Sequence, residues 1–141
     1  RVIVDSTGLR GADAVSLVWV ARKYTAQTSP IALAKYQEGQ LIIAEIDGGQ
    51  PAVNIINALH AAVGLPPFNS NDPAAIQAQV VEERSREMFL EGHHFYDIRR
   101  LNLPLNPVAG TPYPGKGGTY GDQRCWPLPD VERFNNPKLG A

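Results

Sequence analysis

The stretch from Val80 to Arg100, VVEERSREMFLEGHHFYDIRR, puts charge where a helix needs apolar contact. At about 100° per residue, Ile76, Val80, Val81 and Met88 share one helical arc, and Arg84, Glu87 and Glu91 fall inside it. Glu82, Arg86 and Gln79 take the opposite, solvent-type face. The inner charges are therefore not a solvated stripe, and they need partners. Glu87 and Glu91 repel at i,i+4 by roughly 0.2–0.5 kcal/mol, and burying either one unpaired costs several times more. Arg84, Arg99 and Arg100 are the neutralising groups at hand.

Two chemical readings of these acids fail on the sequence. Glu91 and His94 have the Glu-x-x-His spacing of di-iron bundles, but those sites use two such motifs and two further glutamates. No second Glu-x-x-His exists in the chain. General acid/base catalysis lacks an accompanying nucleophile or oxyanion device, so neither an enzyme nor a metal or other cofactor is expected. The pattern predicts a partly buried ion network of Glu38, Glu45, Glu83, Arg84, Glu87, Glu91, Asp97, Arg99 and Arg100, with Glu38 and Glu45 paired to Arg84. Such a network fixes how helices dock more than it adds stability.

Periodicity organises the rest as an all-α domain. Residues 1–30 hold two β-type runs, Val2-Ile3-Val4 and Val15 to Val20, which read equally as a hairpin or an irregular arm. Helices are expected at about 31–47, 51–63, 73–91 and 93–101. Asp47-Gly48-Gly49-Gln50 ends the first, Pro51 suits the first turn of the second, and Ala52, Ile56, Leu59 and Val63 give its apolar stripe. Asp72 followed by Pro73 is an N-cap with a first-turn proline. Gly92 breaks the charged helix. From Asn102 the prolines and glycines forbid sustained helix, so residues 102–141 read as a long wrapping segment. Trp19, Tyr113, Tyr120 and Trp126 are the candidate ligand-stacking residues.

Near balance of 13 basic against 14 acidic residues gives no field to attract nucleic acid or an anionic membrane surface. The longest apolar run, Ala14 to Ala21, falls far short of the roughly 20 residues that span a bilayer. The lone Cys125 has no partner for an internal disulfide and is expected as a small buried hydrophobe beside Trp126. The chain begins at Arg1 with neither a basic n-region nor an apolar h-region, and reads as a processed product or the C-terminal part of a longer polypeptide.

Glu83-Arg84-x-x-Glu87-Met88-Phe89-Leu90-Glu91-Gly92-His93-x-Phe95-x-Asp97-Ile98-Arg99-Arg100 closely resembles the signature near the C-terminus of SusD/RagB-type proteins. Leu41 to Glu45 with Ala52 to Pro66 resembles that family's helix pair. Trp126-Pro127-Leu128-Pro129-x-x-Glu132-x-x-x-Asn136-Pro137-x-Leu139 resembles its closing segment. His60 and His93 stand where the family often has Arg, which implies a weaker ion network. The resemblance implies a tetratricopeptide-like helical scaffold and a glycan- or nutrient-binding lipoprotein on the outer face of the outer membrane. It further implies that such a protein serves as the lid of a TonB-dependent transporter, with an oligosaccharide as the expected ligand. The competing expectation is a structural subunit that docks the same scaffold on a larger assembly.

Overall fold

The computed structural model describes residues 2–126, 128–136 and 138, without the side chains of Glu132 and Arg133. Pro127, Pro137 and Leu139 of the closing motif lie outside the described residues, as does the Glu132 side chain. The chain divides into two compact units, residues 1–94 and 95–141.

The first unit opens with an antiparallel hairpin, β1 (Val4–Arg10) and β2 (Leu17–Ala21), in the register Val4 opposite Ala21 and Ser6 opposite Trp19. The chain is thus mostly helical and not all-α. Its arm pairs because β-branched Val4, Thr7, Val18 and Val20 suit strands and because Asp13 builds the connection. The Asp13 carboxylate accepts from the Ser16 hydroxyl at 2.5 Å and from the Ser16 and Val15 amides at 2.9 and 3.0 Å. Those bonds, the Ser16 hydroxyl first, hold its carboxyl below the ordinary value. Most residues of both strands are exposed, and a lone two-stranded hairpin is marginal in water. Its anchorage must come from elsewhere in the unit.

Three helices supply the core: α1 (Tyr36–Asp47), α2 (Gly49–Ala61) and α3 (Pro73–Glu87). Leu41 and Ala44 of α1 meet Ala52, Val53, Ile56 and Leu59 of α2 and Ile76 and Val80 of α3. Gly48 alone separates α1 from α2. Its φ of 61° is left-handed, a conformation glycine adopts without Cβ strain, and its amide donates to Ala44 O at 3.1 Å. Pro51 lies in the first turn of α2, where a missing N–H removes no helix bond. Asp72 caps α3, its carboxylate accepting from the Ala74 and Ala75 amides at 3.1 and 3.3 Å.

Two helix ends differ from the periodic pattern. α1 starts at Tyr36 instead of residue 31, because Lys35 is extended (φ −125°, ψ 144°) and its ammonium is committed to the far end of α3. α3 stops at Glu87, before Gly92, and Leu90 then takes a left-handed φ of 62°. Val63, placed in the α2 stripe by spacing, lies beyond the helix and is exposed.

α4 (His93–Arg100) leads into the second unit, and a short α5 (Asp130–Asn135) lies near its end. Between them the proline- and glycine-rich chain folds on itself. Tyr113 N donates to Gly118 O at 3.1 Å and Tyr120 N to Thr111 O at 2.9 Å, closing a small loop. Arg124 reaches Leu103 O at 2.9 Å and Asn102 Oδ1 at 3.1 Å. Cys125 is exposed, contrary to its expected burial, because its neighbour Trp126 is itself 78% exposed and offers no interior to enter.

Candidate functional site

Among the described residues Glu83 is the most deeply buried acid, 1% exposed, although the helical arc did not single it out. Its Oε1 lies 2.8 Å from His60 Nε2 and accepts from Gln79 Nε2 at 2.9 Å. The other His60 nitrogen, Nδ1, sits 2.7 Å from Pro66 O. A carbonyl oxygen only accepts, so Nδ1 carries a hydrogen, and the Nε2 contact needs a second hydrogen between ring and carboxylate. His60 ties α2, the turn after it and α3 together through these two contacts.

Glu91 forms the second centre. Its Oε1 takes both Lys23, just after β2, and Lys35, the residue before α1, the latter at 2.8 Å. The same ammoniums bond main-chain carbonyls at the end of α3: Lys35 with Glu87 O at 2.9 Å, and Lys23 with Phe89 O at 2.6 Å. Cations belong at a helix C-terminus, where unpaired carbonyls concentrate negative charge. Partial burial pulls the Glu91 carboxyl upward, but the bonds from Lys23 and Lys35, with their charges, outweigh it and leave it below the ordinary value. This knot anchors the hairpin. Neither lysine was singled out by the sequence, because each lies more than fifty residues from Glu91 and follows no periodic pattern.

A third contact chain runs through His93. Arg84 Nη2, which only donates, lies 3.4 Å from His93 Nδ1, and His93 Nε2 lies 3.7 Å from Glu38 Oε1. The ring thus stands between two groups that sequence reasoning paired directly. Glu45, Arg84 and Glu87 all have polar or electrostatic partners. In the second unit Asp97 is buried and accepts from Arg100 Nη2 at 3.2 Å, while Arg99 is exposed. Among the described residues no group of three or more His, Cys, Asp or Glu is placed to hold a metal ion.

Glu83, Glu91 and Asp97 of the Val80–Arg100 stretch are therefore engaged by side chains of their own fold. The model of the SusD family matches residues 34–139, which include this stretch, the α1–α2 pair and the closing motif. The chain belongs to the SusD family. It is also similar to the SusD-like protein P38 of Formosa agariphila, 29% identical over 122 residues, covering 77% of this chain and 23% of that protein. The chain thus spans less than a quarter of the length of the curated relative it matches. No solved structure matches it.

The aromatic candidates of this SusD-family chain are distributed over both units. Trp19, on β2 of the first unit, is exposed. In the second unit Trp126 lies 5.2 Å, ring centre to ring centre, from Phe95, which meets Tyr96 edge-on at 5.8 Å. Sequence reasoning did not select Phe95 or Tyr96. Tyr113 and Tyr120 pair at 4.6 Å, with the Lys116 ammonium 4.7 Å from the Tyr113 ring centre.

Gly118 makes the Tyr113–Tyr120 pair feasible. Its φ is +96°, and a Cβ there would lie 3.2 and 3.3 Å from Tyr113 Cε2 and Cδ2. Gly118→Ala should displace the ring and cost about 1–3 kcal/mol, read as a loss of tyrosine near-ultraviolet dichroism. Gly117→Ala, where a Cβ meets nothing within 4 Å, should leave the signal intact. Equal spectra for the two variants would contradict this packing.

Proposed function

We propose that the protein is a non-catalytic glycan- or nutrient-binding member of the SusD family that works with a TonB-dependent transporter at the outer face of the outer membrane. The observation that carries the reading is the family match over residues 34–139. The geometry is consistent with it. The charged signature is occupied with scaffold contacts, and exposed rings remain to pack against the C–H faces of a sugar while polar groups meet its hydroxyls.

In this reading α1, α2 and α3 form part of a tetratricopeptide-like scaffold. The arm at 1–30, the helical segment at 31–101 and the wrapping segment at 102–141 act as its parts. Trp126, Trp19, Tyr113 and Tyr120 are the proposed ligand-contacting residues. Glu38, Glu45, Glu83, Arg84, Glu87, Glu91, Asp97, Arg99 and Arg100 are the proposed structural ion network. No described helix is long and apolar enough to cross a membrane.

The test is calorimetric titration of the native polypeptide against a panel of neutral and acidic oligosaccharides, with the sugars recovered and analysed afterwards. The expected result is binding to one glycan class without cleavage, weakened about tenfold by Trp126→Ala, the scale of one ring contact. A cleaved product would contradict the reading. So would the absence of binding across the panel in a protein that co-purifies with a large assembly lacking a transporter.

A further inference from the structure

We propose that the first unit holds a pocket for one uncharged sugar ring, formed where the chain after β2 and the entry to α1 meet the turn after α3. The inference rests on the glycan-binding reading above and adds the kind of sugar, one that carries neither carboxylate nor sulfate. The cavity measures about 280 Å³, and its lining includes Tyr24, Leu33, Lys35, Glu38, Leu90 and His93. All six belong to residues 1–94.

Glu38 carries the argument. Its side chain is 24% exposed, and among the described residues its carboxylate makes one polar contact, from Oε1 to His93 Nε2 at 3.7 Å. That distance is longer than a hydrogen bond, and a largely enclosed carboxylate without one is costly. His93 Nδ1 lies 3.4 Å from Arg84 Nη2, which only donates, so Nε2 carries the ring hydrogen. A donor and an acceptor thus stand just too far apart to satisfy each other. A hydroxyl beside them serves both, accepting from Nε2–H while donating to Oε1. Lys35 lines the same cavity, and its ammonium bonds Glu87 O and Glu91 Oε1. The third ammonium hydrogen is left for a second hydroxyl.

The remaining lining distinguishes a sugar from water. Tyr24, Leu33 and Leu90 supply apolar surface for the C–H face of a ring. Tyr24 and Leu90 also hold left-handed φ values of 56° and 62°, a strained backbone that collects at ligand clamps when residues other than glycine adopt it. Charge then selects among sugars. Lys23 and Lys35 stand against Glu38 and Glu91, two cations against two anions, which leaves no net field for an ion. Both ammoniums are committed to Glu91. An acidic sugar would bring its charge against Glu38 with no cation released to meet it, and such a clash rejects the wrong ligand.

The test exposes the native polypeptide, as its host produces it, to a mixture of diazirine-tagged neutral hexose oligosaccharides. A matched mixture in which one sugar is a uronate serves as the acidic probe, and labelled peptides are mapped by mass spectrometry. The expected result is labelling of residues 22–38 and 89–94 by the neutral probe, competed by untagged sugar, and about tenfold less by the acidic one. Tyr24→Asn removes the ring at a position whose left-handed φ asparagine tolerates. It should cut the neutral label about tenfold at unchanged Tm. Glu38→Gln keeps an acceptor without the charge and should raise the acidic label, a change that a purely structural role for Glu38 would not produce. Labelling confined to peptides carrying Trp126 or Tyr113 would overturn the inference and leave the glycan-binding reading intact. Equal labelling of the cavity by both probes would overturn it too, and labelling by neither probe anywhere would overturn both.

Discussion

Replacing Glu83 by alanine is expected to cost about 3 kcal/mol of folding stability, the upper end of the penalty for leaving a buried polar group without its partner. The acid is almost completely enclosed, and its Oε1 is the shared acceptor of His60 Nε2 and Gln79 Nε2. Removing it strands a buried imidazole whose other nitrogen stays bound to Pro66 O. The polar cost remains while its compensation is gone. At this chain length the loss corresponds to a fall in Tm on the order of 10 °C. Glu83→Gln keeps an acceptor and should cost less. His60→Ala combined with Glu83→Ala should be clearly less damaging than the sum of the single changes, as expected for directly coupled residues. Urea denaturation of the four proteins measures this, and strictly additive effects would contradict the pairing.

The second large effect concerns Glu91 and is pH dependent. Each charge-assisted hydrogen bond contributes about 1.5–3 kcal/mol, and Glu91 receives two, from Lys23 and Lys35. Glu91→Gln should release about 3 kcal/mol of local stability, felt mostly by the hairpin that Lys23 anchors. Burial pulls this carboxyl up and the two lysines pull it further down, so its folded value lies below the unfolded one. Stability from such a group is fully present above the unfolded value of about 4.3 and fades as pH falls through the depressed folded value. The unfolding free energy of the wild type should therefore drop more steeply than that of Glu91→Gln as pH falls below about 4.3. The two curves converge in acid. Parallel curves down to low pH would show that the carboxylate is not held by the lysines.

Much of the scaffold is legible in the chain. The Asp72-Pro73 start, the Gly48 stop and the apolar stripe through Ala52, Ile56 and Leu59 are local signals, and local signals are what periodicity and capping rules read. The presence of charge on the inner arc of α3 is legible for the same reason. The identity of the partners is not. Lys23 and Lys35 reach Glu91 across more than fifty residues, and nothing in their neighbourhood announces a buried role. The His60–Glu83 contact, made across 23 residues, carries no such local signal either. The hairpin is not legible, because its strands are mostly exposed and show no alternation to separate strand from irregular arm. Leu33, inside the expected 31–47 helix, is fully exposed because Lys35 holds the chain extended before the helix begins.

The same reading explains why the signature names the family without naming a ligand. Glu83, Glu91 and Asp97 are all spent on contacts inside the fold. Residues used this way can specify how helices and arm assemble without touching a ligand.

That claim is tested most directly by hydrogen exchange with mass spectrometry on the wild type and Glu91→Gln, side by side at neutral pH. If the signature carboxylate is a structural knot, residues 4–24 and the entry to α1 lose protection in the variant, while α2 and the buried half of α3 keep theirs. Unchanged protection in the hairpin would contradict the account.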